Sequence, residues 1–282
     1  MTCQPFLSFC NELLAYEGMD LADQVRFCSA IGYRGLEIAP ETLGDTPHRI
    51  GASEAGRIRA TVEGEGLKAT GLHWLLKPYP HLSITSRDAA VLEDTRDTLT
   101  GLLDLCAELG GTVMVHGSPG QRRLDAGESL DEAMQRVADF FRPVAEAAGE
   151  RGIVYCIEPL SRAETDFLNT VDEAERLVEM VGHPAFRTMI DTSAAGQAEA
   201  IPVADLIRDK LPGGSIGHIQ INDTNRGAPG TGDDPFDAIL AAIRESGWTR
   251  PIAVEPFKVI GDARATAAYA AATVKALWDC RI

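Results

Sequence analysis

Short apolar runs alternate with longer amphipathic segments along the whole chain. The runs have the length of buried strands, and the segments between them carry apolar residues at helical spacing. In the segment 95–111, for example, Leu99, Leu102, Leu103 and Cys106 share one face before a Gly-Gly pair. We predict eight strands, which are Phe6–Cys10, Gly35–Ile38, Lys68–His73, Thr112–His116, Ile153–Glu158, Thr188–Asp191, Gly217–Ile221 and Ile252–Glu255.

Each predicted strand is followed by a predicted helix, and this strict alternation implies parallel strands. Eight such units predict an α/β fold, a single (β/α)8 TIM barrel. We find no linker rich in Pro, Gly or Ser, so one domain is expected over residues 1–282. The competing architecture is a doubly wound open sheet, which needs a glycine-rich phosphate loop after the first strand. The segment "SFCNELLAYEGMD" contains no such loop.

Charge and composition narrow the class of partner. The chain has 42 acidic and 26 basic residues, a net charge of −16, which argues against a nucleic acid partner because such binding depends on cationic side chains. The strongest basic cluster is the short run Gln121-Arg122-Arg123. No apolar stretch approaches the roughly 20 residues of a membrane span. We therefore expect no membrane association.

The cysteines and the N-terminal segment bear on the compartment. The six cysteines form no CxxC motif, and "MTCQPFLSFCNELL" carries no basic region of the kind that begins a secretory signal. Cys106 and Cys156 lie inside apolar runs and are expected to be small core residues. These features predict a cytoplasmic protein in a reducing environment.

Polar or ionisable residues close nearly every predicted strand. The active sites of (β/α)8 barrels are built at the C-terminal ends of the strands, so these side chains are expected to converge. Glu158 and Glu255 each end an apolar run and precede a proline, which turns the chain out of the sheet without donating to it. The strand-end residues are Asn11, Glu12, Glu37, His73, His116, Glu158, Asp191, Gln220 and Glu255.

Three converging carboxylates, Glu158, Asp191 and Glu255, predict a divalent cation among them, since bare carboxylates would repel one another. Oxygen ligands without cysteine favour Mn²⁺, Mg²⁺ or Co²⁺, and the amide oxygen of Gln220 suits a neutral fourth ligand. Such an ion polarises a carbonyl and stabilises an enediolate. Glu158 and Glu255 would then remove and return a proton beside the carbonyl, which gives isomerisation or epimerisation.

Several motifs resemble one known family. "IEPLSRAETDFLNT", "MIDTSAAG", "HIQINDTNRGAPGTGD" and "VEPF" resemble the sugar isomerase/epimerase group of xylose isomerase-like TIM barrels, which includes D-tagatose 3-epimerase and hydroxypyruvate isomerase. The resemblance implies a small carbohydrate substrate and an Mn²⁺ or Mg²⁺ site on Glu158, Asp191, Gln220 and Glu255. It also implies that Arg226 contacts substrate oxygens. Members of this family often pair, which allows a homodimer or homotetramer, and the composition permits a monomer equally.

The chain departs from the epimerase pattern at two positions. Where the epimerases usually have H-x-H, this chain has His218-Ile219-Gln220, similar to the hydroxypyruvate isomerases. His218 is an alternative fourth ligand, or a partner that orients one. Three residues after Asp191, where ketohexose epimerases generally carry a substrate-binding His, this chain has Ala194.

Other strand-end and loop residues are candidate substrate contacts. We assign this role to His73, His116, Arg226, Glu37, Trp74 and His218. Structural alternatives stand beside these interpretations: a strand-end histidine is often satisfied by a neighbouring carbonyl, and Arg226 has the alternative of an exposed loop residue. Asp191 has the alternative of a helix N-cap.

Other reactions fit the same residues. An enediolate-stabilising site also suits a lyase, dehydratase or decarboxylase acting on an oxidised sugar acid, and Ala194 favours that alternative. A phosphodiesterase with the same barrel would need a His-rich cluster and a basic groove, and this chain has only six histidines. A sugar-binding barrel without catalysis is the remaining alternative.

Overall fold

The protein is a closed barrel of eight parallel strands in the order β1 to β8, and the computed structural model describes residues 4–279. The ends of the predicted single-domain range, residues 1–3 and 280–282, lie outside the described residues. The strands are β1 Leu7–Cys10, β2 Gly35–Ile38, β3 Lys68–Leu72, β4 Val113–His116, β5 Val154–Ile157, β6 Phe186–Asp191, β7 Ile216–Ile221 and β8 Ile252–Val254. The predicted (β/α)8 fold is therefore confirmed.

Helices follow the strands and cover the outside of the barrel. They are α1 Glu12–Tyr16, α2 Leu21–Ile31, α3 Ala52–Gly64, α4 Ala89–Leu109, α5 Leu130–Glu150, α6 Val171–Val181, α7 Thr192–Ala198, α8 Val203–Lys210, α9 Phe236–Glu245 and α10 Ala263–Asp279. Capping boxes begin two of them, at Ser129 with Glu132 and at Thr170 with Glu173. Such boxes satisfy backbone donors that a helix start leaves unpaired. No helix within residues 4–279 is long and apolar enough to cross a bilayer.

The strand side chains alternate between the helix-facing core and the barrel interior. On β5, Tyr155 and Ile157 join the core under the helices, while Cys156 packs inside the barrel with Val113, Val115 and Met189. Two residues further along, Glu158 follows Cys156 and Asp191 follows Met189, so both carboxylates face the interior. Parallel closure therefore gathers them at the C-terminal end of the barrel, which we call the mouth.

The register shifts twice around the barrel, and each shift lies beside polar residues of the interior. One is between Leu36 and Glu37 at the β2–β3 pairing, and the other is between Thr188 and Met189 at the β6–β7 pairing. Bulges of this kind re-aim the side chains that follow them. They precede, respectively, the Glu37 side chain and the Asp191–Gln220 pair of the mouth.

The 3-10 helix Pro47–Arg49 packs tightly on α4 at Gly101. A Cβ on Gly101 would lie 2.2 Å from the backbone oxygen of His48, whereas no described atom lies within 4 Å of a Cβ on Gly56 in α3. Glycine in a helix normally costs about 0.5–1 kcal/mol relative to alanine. We expect Gly56→Ala to stabilise the protein by about that amount, and Gly101→Ala to destabilise it by about 1–3 kcal/mol because backbone must move.

Urea unfolding midpoints of the two variants and the wild type measure this difference. Stabilisation by Gly101→Ala of the same size as by Gly56→Ala would contradict the close approach of the 3-10 helix to α4.

Candidate active site

Three carboxylates meet at the mouth of the barrel. Glu158 follows β5, Asp191 ends β6 and Glu255 follows β8, and one carboxylate oxygen of each lies within 4.8 Å of the others. All three side chains are buried, with 5% or less of the surface of each residue exposed. This spacing is short enough for one cation to contact all three carboxylates.

Burial and mutual repulsion favour the protonated forms of these acids when no cation is present. Burial, then Asp191, raises the pKa of Glu158 well above its usual range, against the opposing charge of Arg122. Burial and the Glu158 carboxylate raise the pKa of Glu255 in the same way. Burial raises the pKa of Asp191 to about 7. The cluster therefore needs positive charge or protons.

Asp191 is the N-cap residue of α7, the structural alternative that the sequence offered, and within the described residues it keeps one carboxylate oxygen unpaired. Its Oδ1 accepts from the backbone N–H of Ala194, so it caps α7 as its N-cap residue. Its Oδ2 is buried and has no hydrogen-bond partner among residues 4–279. The cap thus orients the carboxylate and leaves one oxygen for another ligand.

Gln220 presents a similar unpaired oxygen. Its Nε2 donates to Glu37 Oε1 at 2.8 Å, and its buried Oε1 has no partner in the described part of the chain. A buried polar oxygen without a partner is costly, and a bound cation would satisfy it. The donor set of two free oxygens and a carboxylate cluster therefore fits a divalent ion with oxygen ligands.

Glu37, His73 and His218 form a buried polar network beside Glu255. His218 Nε2 lies 2.8 Å from Glu37 Oε2, and His73 Nε2 donates to Glu12 Oε2 at 2.8 Å. Burial alone would lower the pKa of His73, but the carboxylates of Glu12 and Glu37 together have the larger effect. The pKa of His73 is therefore raised above its usual value. Burial alone would raise the pKa of Glu37, but His218 and His73 together have the larger effect. The pKa of Glu37 is therefore lowered below its usual value.

The structure therefore places Glu37, His73 and His218 among buried partners. His218 Nε2 lies beside Glu37 Oε2, and Gln220 keeps a buried amide oxygen without a hydrogen-bond donor among the described residues. Glu12 was one of the strand-end residues of the sequence, but its pairing with His73 was not predicted.

His116 lies on the opposite face of its strand. Its Nδ1 is 2.6 Å from the Tyr155 hydroxyl, and its ring packs edge-on against Phe141 of α5. Burial, with the charge of Arg122, lowers the pKa of His116 to about 3. Because Val113 and Val115 of β4 point into the barrel, alternation sends His116 toward the helices. The structure thus places this predicted substrate contact in the outer core.

A cavity of about 330 Å³ borders Glu158. Its lining also includes Trp74, Phe257, Arg226 and Glu164. The Trp74 and Phe257 rings stack at 5.8 Å. This volume is within the range of small-ligand sites in proteins.

Arg226 is held in place on the cavity wall. Its guanidinium lies 4.3 Å from the centroid of the Phe257 ring and donates to Glu164 Oε1 at 2.8 Å. Arg226 and Trp74 both have positive φ, at 70° and 53°, a conformation that costs free energy for residues other than glycine. The structure thus brings these two predicted residues to the cavity. Glu164 was not predicted, and its only signal is its position six residues after Glu158.

Comparisons with known proteins agree with this architecture. A family model described as xylose isomerase-like TIM barrel matches residues 25–277. The D-psicose 3-epimerase of Ruminiclostridium cellulolyticum is 26% identical over 233 residues, covering 82% of this chain and 76% of its own. The D-psicose 3-epimerase of Agrobacterium fabrum is 27% identical over 233 residues, covering 82% and 77%. The solved structure of an L-ribulose 3-epimerase superposes with a TM-score of 0.82 at 20% identity, covering 98% of this chain and 95% of that one.

The place of the Glu158 carboxylate depends on Gly117. A Cβ on Gly117 would lie 2.3 Å from Glu158 Oε2, whereas no described atom lies within 4 Å of a Cβ on Gly120 of the same loop. We expect Gly117→Ala to displace the carboxylate and to weaken Mn²⁺ binding about tenfold or more, as changes around metal ligands commonly do. Calorimetric titration with MnCl₂ measures the effect.

Gly120→Ala is the matched control and should bind Mn²⁺ like the wild type. Equal affinities for Gly117→Ala and the wild type would mean that Mn²⁺ binding does not depend on the space that Gly117 leaves for the Glu158 carboxylate.

Proposed function

The chain belongs to the xylose isomerase-like TIM barrel family, and on that premise we propose that it is a divalent-metal-dependent epimerase or isomerase. Its substrate is a small keto-sugar or hydroxy-keto acid. The observation that carries the proposal is the convergence of Glu158, Asp191 and Glu255 within 4.8 Å of one another, with Glu158 also lining the cavity. The relatives named as D-psicose 3-epimerases support the same reaction class.

In this proposal Glu158, Asp191, Gln220 and Glu255 hold the ion. The unpaired oxygens of Asp191 and Gln220 support the assignment, as do the raised pKa values of the buried carboxyl groups. Mn²⁺ is our first choice, with Mg²⁺ or Co²⁺ as alternatives, because the donors are all oxygens. When bound, the ion polarises the substrate carbonyl and offsets negative charge in the site.

Glu158 and Glu255 act as the acid/base pair. They follow β5 and β8, with β6 and β7 between them, so they approach a substrate from different sides. One residue, as a carboxylate, takes the proton from the carbon beside the carbonyl. The other, as a carboxylic acid, returns a proton to the same carbon in an epimerisation or to the former carbonyl carbon in an isomerisation. Burial supports this role, because it raises the pKa of each carboxyl group towards the neutral range in which a catalytic acid or base works.

The cavity walls support a small polar substrate. The edges of the stacked Trp74 and Phe257 rings offer an apolar surface to the C–H groups of a sugar. The Arg226–Glu164 pair offers both hydrogen-bond donors and acceptors to its hydroxyl groups. His73, Glu37 and His218 orient Glu255 and Gln220 from below in this proposal.

A lyase, dehydratase or decarboxylase acting on an oxidised sugar acid is the second candidate. Ala194 favours it, because this residue lines the site beside Asp191 where the ketohexose epimerase pattern has a substrate-binding histidine. The two candidates differ in the mass of their products. Isomerisation conserves the mass of the substrate, whereas loss of water or carbon dioxide lowers it.

Replacing a proton-transferring carboxylate tests the proposal directly. We expect Glu255→Gln to lower the rate at which a ketose substrate takes up solvent deuterium by about 10²–10⁴-fold, because an amide cannot accept the proton. The measurement is mass spectrometry of a panel of keto-sugars and keto acids incubated with Mn²⁺-loaded enzyme in D₂O.

Glu150→Gln is the control, since Glu150 has an exposed side chain at the end of α5. It should exchange at the wild-type rate. Wild-type exchange by Glu255→Gln would rule out Glu255 as a base, and a mass loss without exchange would favour the second candidate.

A further inference from the structure

The loop between β4 and α5 encloses Glu158 from two sides. Gly117 leaves room for the Glu158 carboxylate, as its missing Cβ would lie 2.3 Å from Oε2. At the other end of the loop, Arg122 Nη2 donates to the Glu158 backbone oxygen at 2.6 Å. The loop is anchored in turn to the segment before α4, since Ile84 N–H donates to the Gln121 oxygen at 2.9 Å. These contacts join one loop to both the main chain and the side chain of Glu158.

Arg122 is the largest side chain in the fully buried set, with 0% of its surface exposed. Its second guanidinium nitrogen, Nη1, donates to the backbone oxygen of His116 at 3.4 Å. His116 is the last residue of β4, and Glu158 is the first residue after β5. The planar fork of one arginine therefore ties together the ends of two neighbouring strands at the mouth.

A buried guanidinium needs a reason, because taking its charge out of water is costly. Two carbonyl oxygens do not satisfy it fully: Nε has no hydrogen-bond partner within the described residues. Burial lowers the pKa of Arg122 to about 10, against the opposing charges of Glu158 and Glu164. An arginine that served packing alone would be replaced at lower cost by an apolar side chain.

We propose that Arg122 is a positioning residue: its fork clamps the carbonyls of His116 and Glu158 and thereby fixes Glu158 as a ligand of the divalent ion. The inference rests on the metal site of the proposed function. It adds a residue that touches neither the ion nor the substrate, and that the sequence presented only as part of a weak basic cluster. Metal ligands elsewhere depend on such supporting hydrogen bonds.

The sign of the effect on metal affinity separates positioning from simple charge. Removing a positive charge near a cation site would by itself strengthen cation binding. Loss of the clamp does the opposite, because Glu158 would no longer be held in place. We expect Arg122→Ala to bind Mn²⁺ about 10–100-fold more weakly than the wild type. Arg122→Lys keeps the charge but not the two-pronged fork, so its Mn²⁺ affinity should lie between those of Arg122→Ala and the wild type.

The experiment combines calorimetric titration with MnCl₂ and hydrogen–deuterium exchange of the metal-free proteins. Arg122→Ala should speed amide exchange in the segment 154–160, because the clamp is lost. Amide exchange in β1 should stay unchanged. Guanidinium ion at millimolar concentration should fill the vacated space and restore part of the Mn²⁺ affinity. Arg57→Ala is the control, as Arg57 is exposed on α3 and should leave both readouts unchanged.

Equal or tighter Mn²⁺ binding by Arg122→Ala would overturn the proposal, and so would wild-type affinity in Arg122→Lys. Unchanged amide exchange in the segment 154–160 would show that Arg122 does not hold this segment, whatever the Mn²⁺ affinity of the variant. If the wild type bound none of Mn²⁺, Mg²⁺ and Co²⁺, the proposed function would fail, while the exchange measurement would still decide whether Arg122 holds Glu158. Should Arg122→Ala fail to fold, Arg122→Lys carries both readouts.

Discussion

Repulsion among buried carboxylates is the constraint on which the rest of the site depends. Five acids, namely Glu12, Glu37, Glu158, Asp191 and Glu255, are buried inside or at the mouth of one barrel. Charges of like sign interact strongly where little water screens them, so each acid needs a partner or a proton. His73 lies between Glu12 and Glu37, His218 pairs with Glu37, and Arg122 lies next to Glu158. The Glu158, Asp191 and Glu255 trio is left for a divalent ion in our proposal.

The barrel supplies the geometry that this arrangement needs. Parallel closure brings the ends of distant segments together, and alternation along each strand determines which side chains point inward. The loops then complete the site. One loop places Gly117 and Arg122 around Glu158, and another carries Arg226 onto Phe257 and Glu164. The strands thus fix which side chains converge, while the loops fix how each is held.

The barrel and its convergent acids could be predicted from the sequence for a physical reason. Eight buried strands are visible as apolar runs, and Glu158 and Glu255 are marked by the prolines that follow them. His116 also ends a strand, but "VMVH" is apolar on both faces and gives no sign of which face points inward. Arg122 and Glu164 lie in loops, where their burial and partners depend on contacts across 36 and 62 residues of sequence. Local patterns carry no information on such contacts.

The most direct test of the metal site is anomalous X-ray diffraction from crystals grown with MnCl₂. Our account predicts one anomalous peak per chain at the mouth, within about 2.0–2.6 Å of oxygens from Glu158, Asp191, Gln220 and Glu255. A peak bound by His218 in place of Gln220 would correct the fourth ligand. The absence of a peak at the mouth, or a peak bound only by other side chains, would contradict the account.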